Sequence, residues 1–321
     1  MKQTKKQQII EFLQRNENKF SSIKNALNAF IEEKNEPCHY AMFSTIARDI
    51  IVLDPSQNFS NTIANNLPTD EEINFVDIKK LRYSDEITVP TKAGCQLDTL
   101  MSTAGGIMPA TICIVPGESG IGKTSVLLDY CGRVKTQHPE KKILFISTEM
   151  NRIHMFKYGK RINVSGIDLM FLGEYQNVSL VVEKVLQQGW DIVLIDSFQD
   201  CVDKCRDSLG CTLRQAESWL LRLMDKIRLA ENDEKKYTSF FCTQHMTKGA
   251  QYTGSTNLKH MTDSMMDLRR DKEMPEYTYL EFSKNRDGAV WVRQYFKIGN
   301  DGVQYIGQPS FEEDEDESDE Y

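Results

Sequence analysis

The sequence lacks any run near the ~18 consecutive apolar residues of a membrane-spanning helix, so no membrane role is expected. Its start, Met1-Lys2-Gln3-Thr4-Lys5-Lys6-Gln7-Gln8, is not followed by an apolar core, so no signal peptide and a cytoplasmic location are expected. Eight cysteines (38, 95, 113, 131, 201, 205, 211 and 242) include no CxxC pair and read as reduced thiols. Cys201, Cys205 and Cys211 have no nearby histidine and no fourth ligand, which argues against a structural zinc. There is no excess of positive charge either: 39 basic residues face 47 acidic ones, a net charge of −8. Bulk charge therefore does not drive nucleic-acid binding, although a local basic groove stays open.

What is there is ordinary globular composition, 40% hydrophobic and 27% charged, over 321 residues. That length suits one large domain plus a smaller one. The acidity is concentrated. Residues 312–320 read EEDEDESDE, eight acids interrupted by Ser318, and the rest of the chain is neutral. Such a run repels itself, so residues 309–321 are expected to be a disordered acidic tail. It is a solubilising end, a competitor of DNA, or a docking peptide for a replication or recombination partner.

The first ~65 residues read as a small helical domain. Ile9, Ile10 and Leu13 form one stripe. Ser22 is placed to cap a second helix with Ile23, Ala26, Leu27, Phe30 and Ile31 on one face, and a third apolar segment runs from Tyr40 to Leu53. Three short helices with a tight connection fit a DNA-touching helix-turn-helix, but the segment is nearly charge-balanced and has no basic stripe, so helical packing or subunit contact is the preferred reading. Residues 66–88, polar and Asn-rich at the start with one helical piece around Ile73 to Leu81, read as a linker.

From residue 89 to 308 short β-branched runs alternate with helical stretches: Thr111–Val115, Ile143–Ile146, Ile192–Ile195, Ser239–Thr243 and Tyr277–Phe282. This is the pattern of an α/β domain, a mostly parallel twisted sheet with helices on both faces and ligands at the carboxyl ends of its strands. The first strand runs into Gly117-Glu118-Ser119-Gly120-Ile121-Gly122-Lys123-Thr124, followed by a helical run from Ser125. This is G-x-x-x-x-G-K-[ST] in strand–loop–helix context. Glycines let backbone N–H groups curl around phosphates, Lys123 reaches the β and γ phosphates, and the Thr124 hydroxyl is placed for Mg2+. ATP and Mg2+ are the expected ligands. Asp191–Asp196 is an apolar strand ending in a carboxylate that would orient the magnesium shell. Glu149, just past another strand end, could orient or deprotonate the attacking water.

The region resembles the RecA-like ATPases, and most closely the RadA/Sms branch related to the hexameric DnaB-type helicases. The likeness begins at Gly94-Cys95-Gln96-Leu97-Asp98-Thr99-Leu100 and Gly105-Gly106-Ile107-Met108-Pro109. It continues through Thr148-Glu149-Met150, Leu194-Ile195-Asp196-Ser197 and Gln244-His245-Met246-Thr247-Lys248-Gly249. Asn257-Leu258-Lys259-His260-Met261-Thr262-Asp263 follows, and last comes Ser283-Lys284-Asn285-Arg286-Asp287-Gly288, similar to the family's KNRFG with Asp287 in place of phenylalanine. The resemblance implies that Glu149 is the catalytic glutamate, that Gln244 and His245 sense the γ phosphate, and that Lys284 and Arg286 act on a neighbouring subunit's nucleotide. It also implies that the loop after Thr247 grips single-stranded DNA, with Lys248, Tyr252, Thr253 and Lys259 as contact residues, Tyr252 stacking on a base. The family's four-cysteine zinc module and Lon-like domain have no counterpart here, and a compact version of this kind would suit a phage or other mobile replicon. The implied function is a homo-oligomeric, hexameric ATP-driven ring that translocates on or unwinds DNA. A KaiC-like ATP switch, a recombination mediator and a filament-forming recombinase are the alternatives.

Overall fold

The computed structural model describes residues 4–16, 23–34, 38, 42–43, 46–47, 77–246 and 256–309. The chain divides into two compact units, Met1–Leu81 and Arg82–Tyr321, with the division inside the expected linker. In the first unit, α1 (Lys5–Arg15) starts at a capping box in which the Thr4 hydroxyl accepts from the Gln7 N–H and the Gln7 side chain accepts from the Thr4 N–H. α2 (Ile23–Lys34) packs through Phe30 against Phe12, with ring centroids 5.3 Å apart. Ile9, Leu13, Ala26, Leu27, Phe43, Ile46 and Ala47 complete this small core. The expected cap at Ser22 and most of the 40–53 segment lie outside the described residues. Of the helical piece expected at 73–81, the described part forms one 3-10 turn, Ile78–Lys80.

The second unit is a nine-stranded sheet in the order β3-β2-β4-β5-β1-β6-β7-β8-β9. Its strands are β1 (Ile112–Gly117), β2 (Ile143–Ser147), β3 (Ile167–Phe171), β4 (Ile192–Asp196), β5 (Ser239–His245), β6 (Ser264–Arg270), β7 (Thr278–Asn285), β8 (Gln294–Gly299) and β9 (Gly302–Ile306). The first six in this order are mutually parallel; β7, β8 and β9 continue the sheet antiparallel. The central strands are apolar on both faces because both are covered. In β2, Ile143 and Phe145 join one core while Leu144 and Ile146 join the other, and β4 divides the same way.

α4 (Lys123–Gln137) covers the first face. α6 (Val178–Leu186), α7 (Phe198–Leu209) and α8 (Leu213–Arg228) cover the second. The helices α3 (Asp98–Met101), α5 (Arg152–Tyr158) and α9 (Thr256–Met261) are short. Asp98 is a buried staple: its carboxylate accepts from the N–H groups of Ala93 and Gly94 and from the Tyr130 hydroxyl of α4. All eight cysteines are free, and Cys201 and Cys205 belong to the second core. Burial pushes the Cys113 thiol up to about 12. No described helix is long and apolar enough to cross a membrane.

The expected strands are present, each extended by one to three residues beyond its apolar run. Tyr277–Phe282 is expected among the parallel strands; the corresponding β7 runs antiparallel, since a short turn over 271–277 rather than a helical crossover joins it to β6.

Gly132 in α4 explains how closely the helix can lie on its neighbour. A Cβ built there would meet the Asn163 carbonyl oxygen at 1.8 Å. In an isolated helix Gly→Ala stabilises by roughly 1 kcal/mol, but here the overlap with a backbone oxygen reverses the sign. Gly132→Ala is expected to destabilise by about 1–3 kcal/mol. Thermal unfolding checks this; a raised midpoint would refute the packing.

Candidate nucleotide site

The carboxyl ends of β1, β2, β4 and β5 meet at one edge of the sheet, because these strands are parallel and in register: Ser147 lies opposite Asp196, and Val115 opposite Thr243. The loop from Gly117 leads directly into α4, whose N-cap Gly122 has φ +104, a conformation that favours glycine. A Cβ there would also meet Ile298 Cδ1 at 2.3 Å. Gly120 is likewise left-handed, with φ +76. Glu118, Ser119 and Gly120 are exposed, whereas Ile121, Lys123 and Ser125 are buried.

Lys123 Nζ donates to the carbonyls of Gly117 and Glu118, both at 2.9 Å, folding its ammonium back over the loop. Burial lowers its pKa below the usual lysine value, opposed by the charges of Asp196 and Glu149. A bound phosphate would hold this cation charged.

Asp196 is the hub. The Thr124 hydroxyl donates to its Oδ2 at 2.8 Å, and the Thr243 hydroxyl donates to its Oδ1. The Asp196 carbonyl accepts from the Thr148 N–H at 2.8 Å and from the Thr148 hydroxyl at 2.9 Å. Four segments are thereby tied together around one buried carboxylate. Thr124 and Asp196 are hard oxygen donors beside a phosphate-binding loop, the setting in which Mg2+ is held by few protein ligands plus substrate phosphates, so the residues fit that ion.

Glu149 follows β2 and is solvent-exposed; its Oε1 lies 2.8 Å from His245 Nε2 at the end of β5. Asp200, in the first turn of α7, brings a carboxylate within 4.8 Å of both. Gln244, one residue earlier, is buried opposite Pro116. The structure thus assembles Gly117–Ser125, Glu149, Asp196, Gln244 and His245 at a single edge.

Lys284, Arg286 and Lys259 are elsewhere. Arg286 Nη1 bonds Asp263 Oδ1 at 3.1 Å, and Asp263 sits beside Ile112, where β1 begins. Ile112 and Gly117 are five residues apart, roughly 17 Å at ~3.3 Å per residue. Lys284 Nζ donates to the carbonyls of Lys259 and Thr262, which close α9. Both bases therefore occupy the amino edge of the parallel strands, opposite the P-loop of their own chain. Lys259 is exposed on α9. Lys248, Tyr252 and Thr253 lie outside the described residues.

Thr148, Asp200 and Thr243 were not anticipated. Thr243 has a signal in hindsight, a hydroxyl in the buried strand Ser239–His245 at the level of Asp196. Thr148 and Asp200 have none beyond proximity to strand ends.

No protein-family model matches the chain. Among curated proteins it is 28% identical over 206 residues to the DNA repair protein RadA of Listeria monocytogenes, covering 64% of this chain and 43% of that protein. It is 23% identical over 206 residues to the DNA repair protein RadA of Aquifex aeolicus, covering 64% and 44%. The chain spans less than half the length of these relatives. Among solved structures, the KaiC-like protein PH0186 of Pyrococcus horikoshii OT3 superposes with a TM-score of 0.50 at 14% identity, over 68% of this chain and 99% of that one. The fold and the loop at its strand edge define a RecA-like P-loop protein.

Thr243 acts on Asp196 from behind. Removing such a supporting hydrogen bond costs about 10–100-fold in metal affinity. Thr243→Val is expected to raise by that factor the Mg2+ concentration that half-saturates binding of a fluorescent ATP analogue. An unchanged Mg2+ midpoint would refute the hub.

Proposed function

We propose that the chain is an ATPase that assembles head-to-tail on single-stranded DNA and moves along it, with each nucleotide shared between two subunits. One observation carries this reading: the phosphate loop, the Asp196 hub and Glu149 gather at the carboxyl edge of the sheet, while Lys284 and Arg286 lie at the amino edge roughly 17 Å away, at ~3.3 Å per residue of β1. In each site Lys123 and the loop N–H groups would hold the phosphates, and Thr124 and Asp196 would hold Mg2+, which supplies charge neutralisation for phosphoryl transfer. Glu149 would orient the attacking water and His245 would hold Glu149 in place until the γ phosphate is bound. Arg286 of the next subunit would meet the charge that develops on the phosphoryl group.

DNA as the partner is supported by the RadA relatives and by the sequence KGAQYTGSTN after Thr247, whose Lys248, Tyr252 and Thr253 suit backbone and stacking contacts. Lys259 would add charge nearby. Duplex unwinding by a hexameric ring, the relation to DnaB-type helicases and a phage source extend this reading.

Lys123→Ala is expected to abolish ATP turnover, measured by phosphate release; persisting hydrolysis would refute the site. Arg286→Ala is expected to bind nucleotide normally yet lose at least ~10³-fold in turnover, the size of an arginine-finger effect. Mixed with Glu149→Gln it should regain activity, since some junctions then pair an intact Glu149 with an intact Arg286. Absence of rescue would refute the shared site. A forked duplex with ATP and Mg2+ separates the finer readings. Strand separation supports a helicase, single-strand-stimulated hydrolysis without separation leaves a translocase or recombinase, and hydrolysis indifferent to DNA leaves a KaiC-like switch.

A further inference from the structure

Two apolar surfaces sit towards opposite ends of the strand order, one at the edge strand β3 and one between β7 and β8. The connection between β7 and β8, residues 286–293, carries Val290, Trp291 and Val292, which are 40%, 63% and 47% exposed. Trp291 is held out at φ +63 while its N–H donates to the Phe282 carbonyl at 2.9 Å. A left-handed conformation is uncommon for so bulky a residue, and the surrounding fold maintains it. This knob belongs to the same connection as Arg286, which leaves β7 at the amino edge and has returned to the level of Phe282, opposite Met266, by Trp291.

The second surface is on α5, which leaves the carboxyl edge just after Glu149. Ile153 and Phe156 are each 67% exposed. Beside them is a hollow of about 410 Å³ whose apolar lining includes Met155, Phe156, Leu169 and Phe171 and whose rim carries Arg152 and Lys160. The two cations already lie over rings, Arg152 5.2 Å from the Phe171 centroid and Lys160 5.0 Å from that of Phe156. Arg152 is also held by Glu174 through two 2.8 Å bonds, so what the hollow offers an indole is chiefly the burial of an aromatic ring among aromatic and aliphatic groups, with Lys160 at the rim. Leu169 belongs to β3, the edge strand at the far end of the sheet from β7 and β8.

We propose, resting on the shared-site reading above, that Trp291 of one copy docks against the α5 hollow of the next, and that this contact sets Arg286 beside the neighbour's Glu149. A knob and its complement towards opposite ends of the strand order cannot satisfy each other across a two-fold axis. They join copies head-to-tail, giving a closed ring or an open filament. In sequence the knob is five residues from Arg286 and the hollow begins three residues after Glu149, so one contact assembles both halves of the site.

The test uses the full chain with a non-hydrolysable ATP analogue and Mg2+, followed by sedimentation velocity. Trp291→Asp and Phe156→Asp, each alone, are expected to raise the concentration for half-assembly at least ~10-fold, as loss of a buried aromatic anchor does. An equal mixture of the two retains one intact knob and one intact hollow, so it should form dimers that neither variant forms alone, which also shows that both are folded. With p-benzoylphenylalanine in place of Trp291, irradiation should link that position to residues 152–171 of another chain. Variants that assemble like wild type, a mixture that stays monomeric, or crosslinks confined to other segments would overturn the contact. If the mixture dimerises but its dimers fail to hydrolyse ATP, the contact stands and the shared site falls. If Arg286→Ala is rescued by Glu149→Gln while the dimer fails to form, the shared site stands and the contact falls.

Discussion

Everything at the carboxyl edge depends on keeping one carboxylate, Asp196, in a nearly closed pocket. Burying a charge is costly unless hydrogen bonds or a cation compensate it. Two hydroxyls do so here, from Thr124 on the P-loop helix and Thr243 on the neighbouring strand, while the Asp196 carbonyl fastens the segment that carries Glu149. The P-loop helix, Asp196, the neighbouring strand β5 and the segment that carries Glu149 are therefore positioned by one set of bonds. Lys123 answers the same constraint from above. Its ammonium rests on loop carbonyls, which a triphosphate would replace with stronger partners.

The opposite edge is organised by a second carboxylate. Asp263 accepts from the Ile112 N–H at the start of β1 and from both Arg228 and Arg286. It anchors the turn after β7 to the beginning of the strand that ends in the P-loop. Because β6 is parallel and β7 antiparallel, the chain delivers its phosphate-binding loop and its basic pair to opposite edges of one rigid sheet. On the shared-site reading proposed above, such a subunit would be complete only when another copy supplies the missing edge.

Much of this was legible in the residues, and the failures have physical causes. Strands covered on both faces, such as Ile112–Gly117 and Ile192–Asp196, announce themselves as apolar runs, and the P-loop glycines mark the turn from the first of them into α4. β3, β6, β8 and β9 were not anticipated. Ile167-Asp168-Leu169-Met170-Phe171 is an edge strand with two exposed residues, and Ser264-Met265-Met266-Asp267-Leu268-Arg269-Arg270 carries an ion-pair network that interrupts its apolar pattern. Strands whose apolar run is broken by exposed or charged positions lose the signal that uninterrupted ones carry. In the site, residue types with one established chemistry, lysine in the loop and a strand-end aspartate, could be read directly. Thr148 and Thr243 matter through what they touch, which only the fold reveals.

The two bases at the amino edge are not equivalent. Lys284 is partly buried, spends its donors on the last carbonyls of α9, and has its pKa lowered by burial and by the nearby Arg286 charge. Moving it would uncap a helix end, so it serves its own subunit first, fixing the segment that leads into Asp263. The Arg286 side chain is 60% exposed and its guanidinium bonds Asp263, a carboxylate that keeps Arg228 as a second partner at 2.6 Å. Only the arginine end of this pair is exposed, and buried Asp263 would keep the Ile112 N–H and Arg228 as partners if Arg286 left it. Its guanidinium is moreover a rigid fork matched to phosphate oxygens, whereas an ammonium is a point charge. On the shared-site reading, Arg286 is thus the one of the two that would reach across to a neighbour, and Lys284 the one that would aim it.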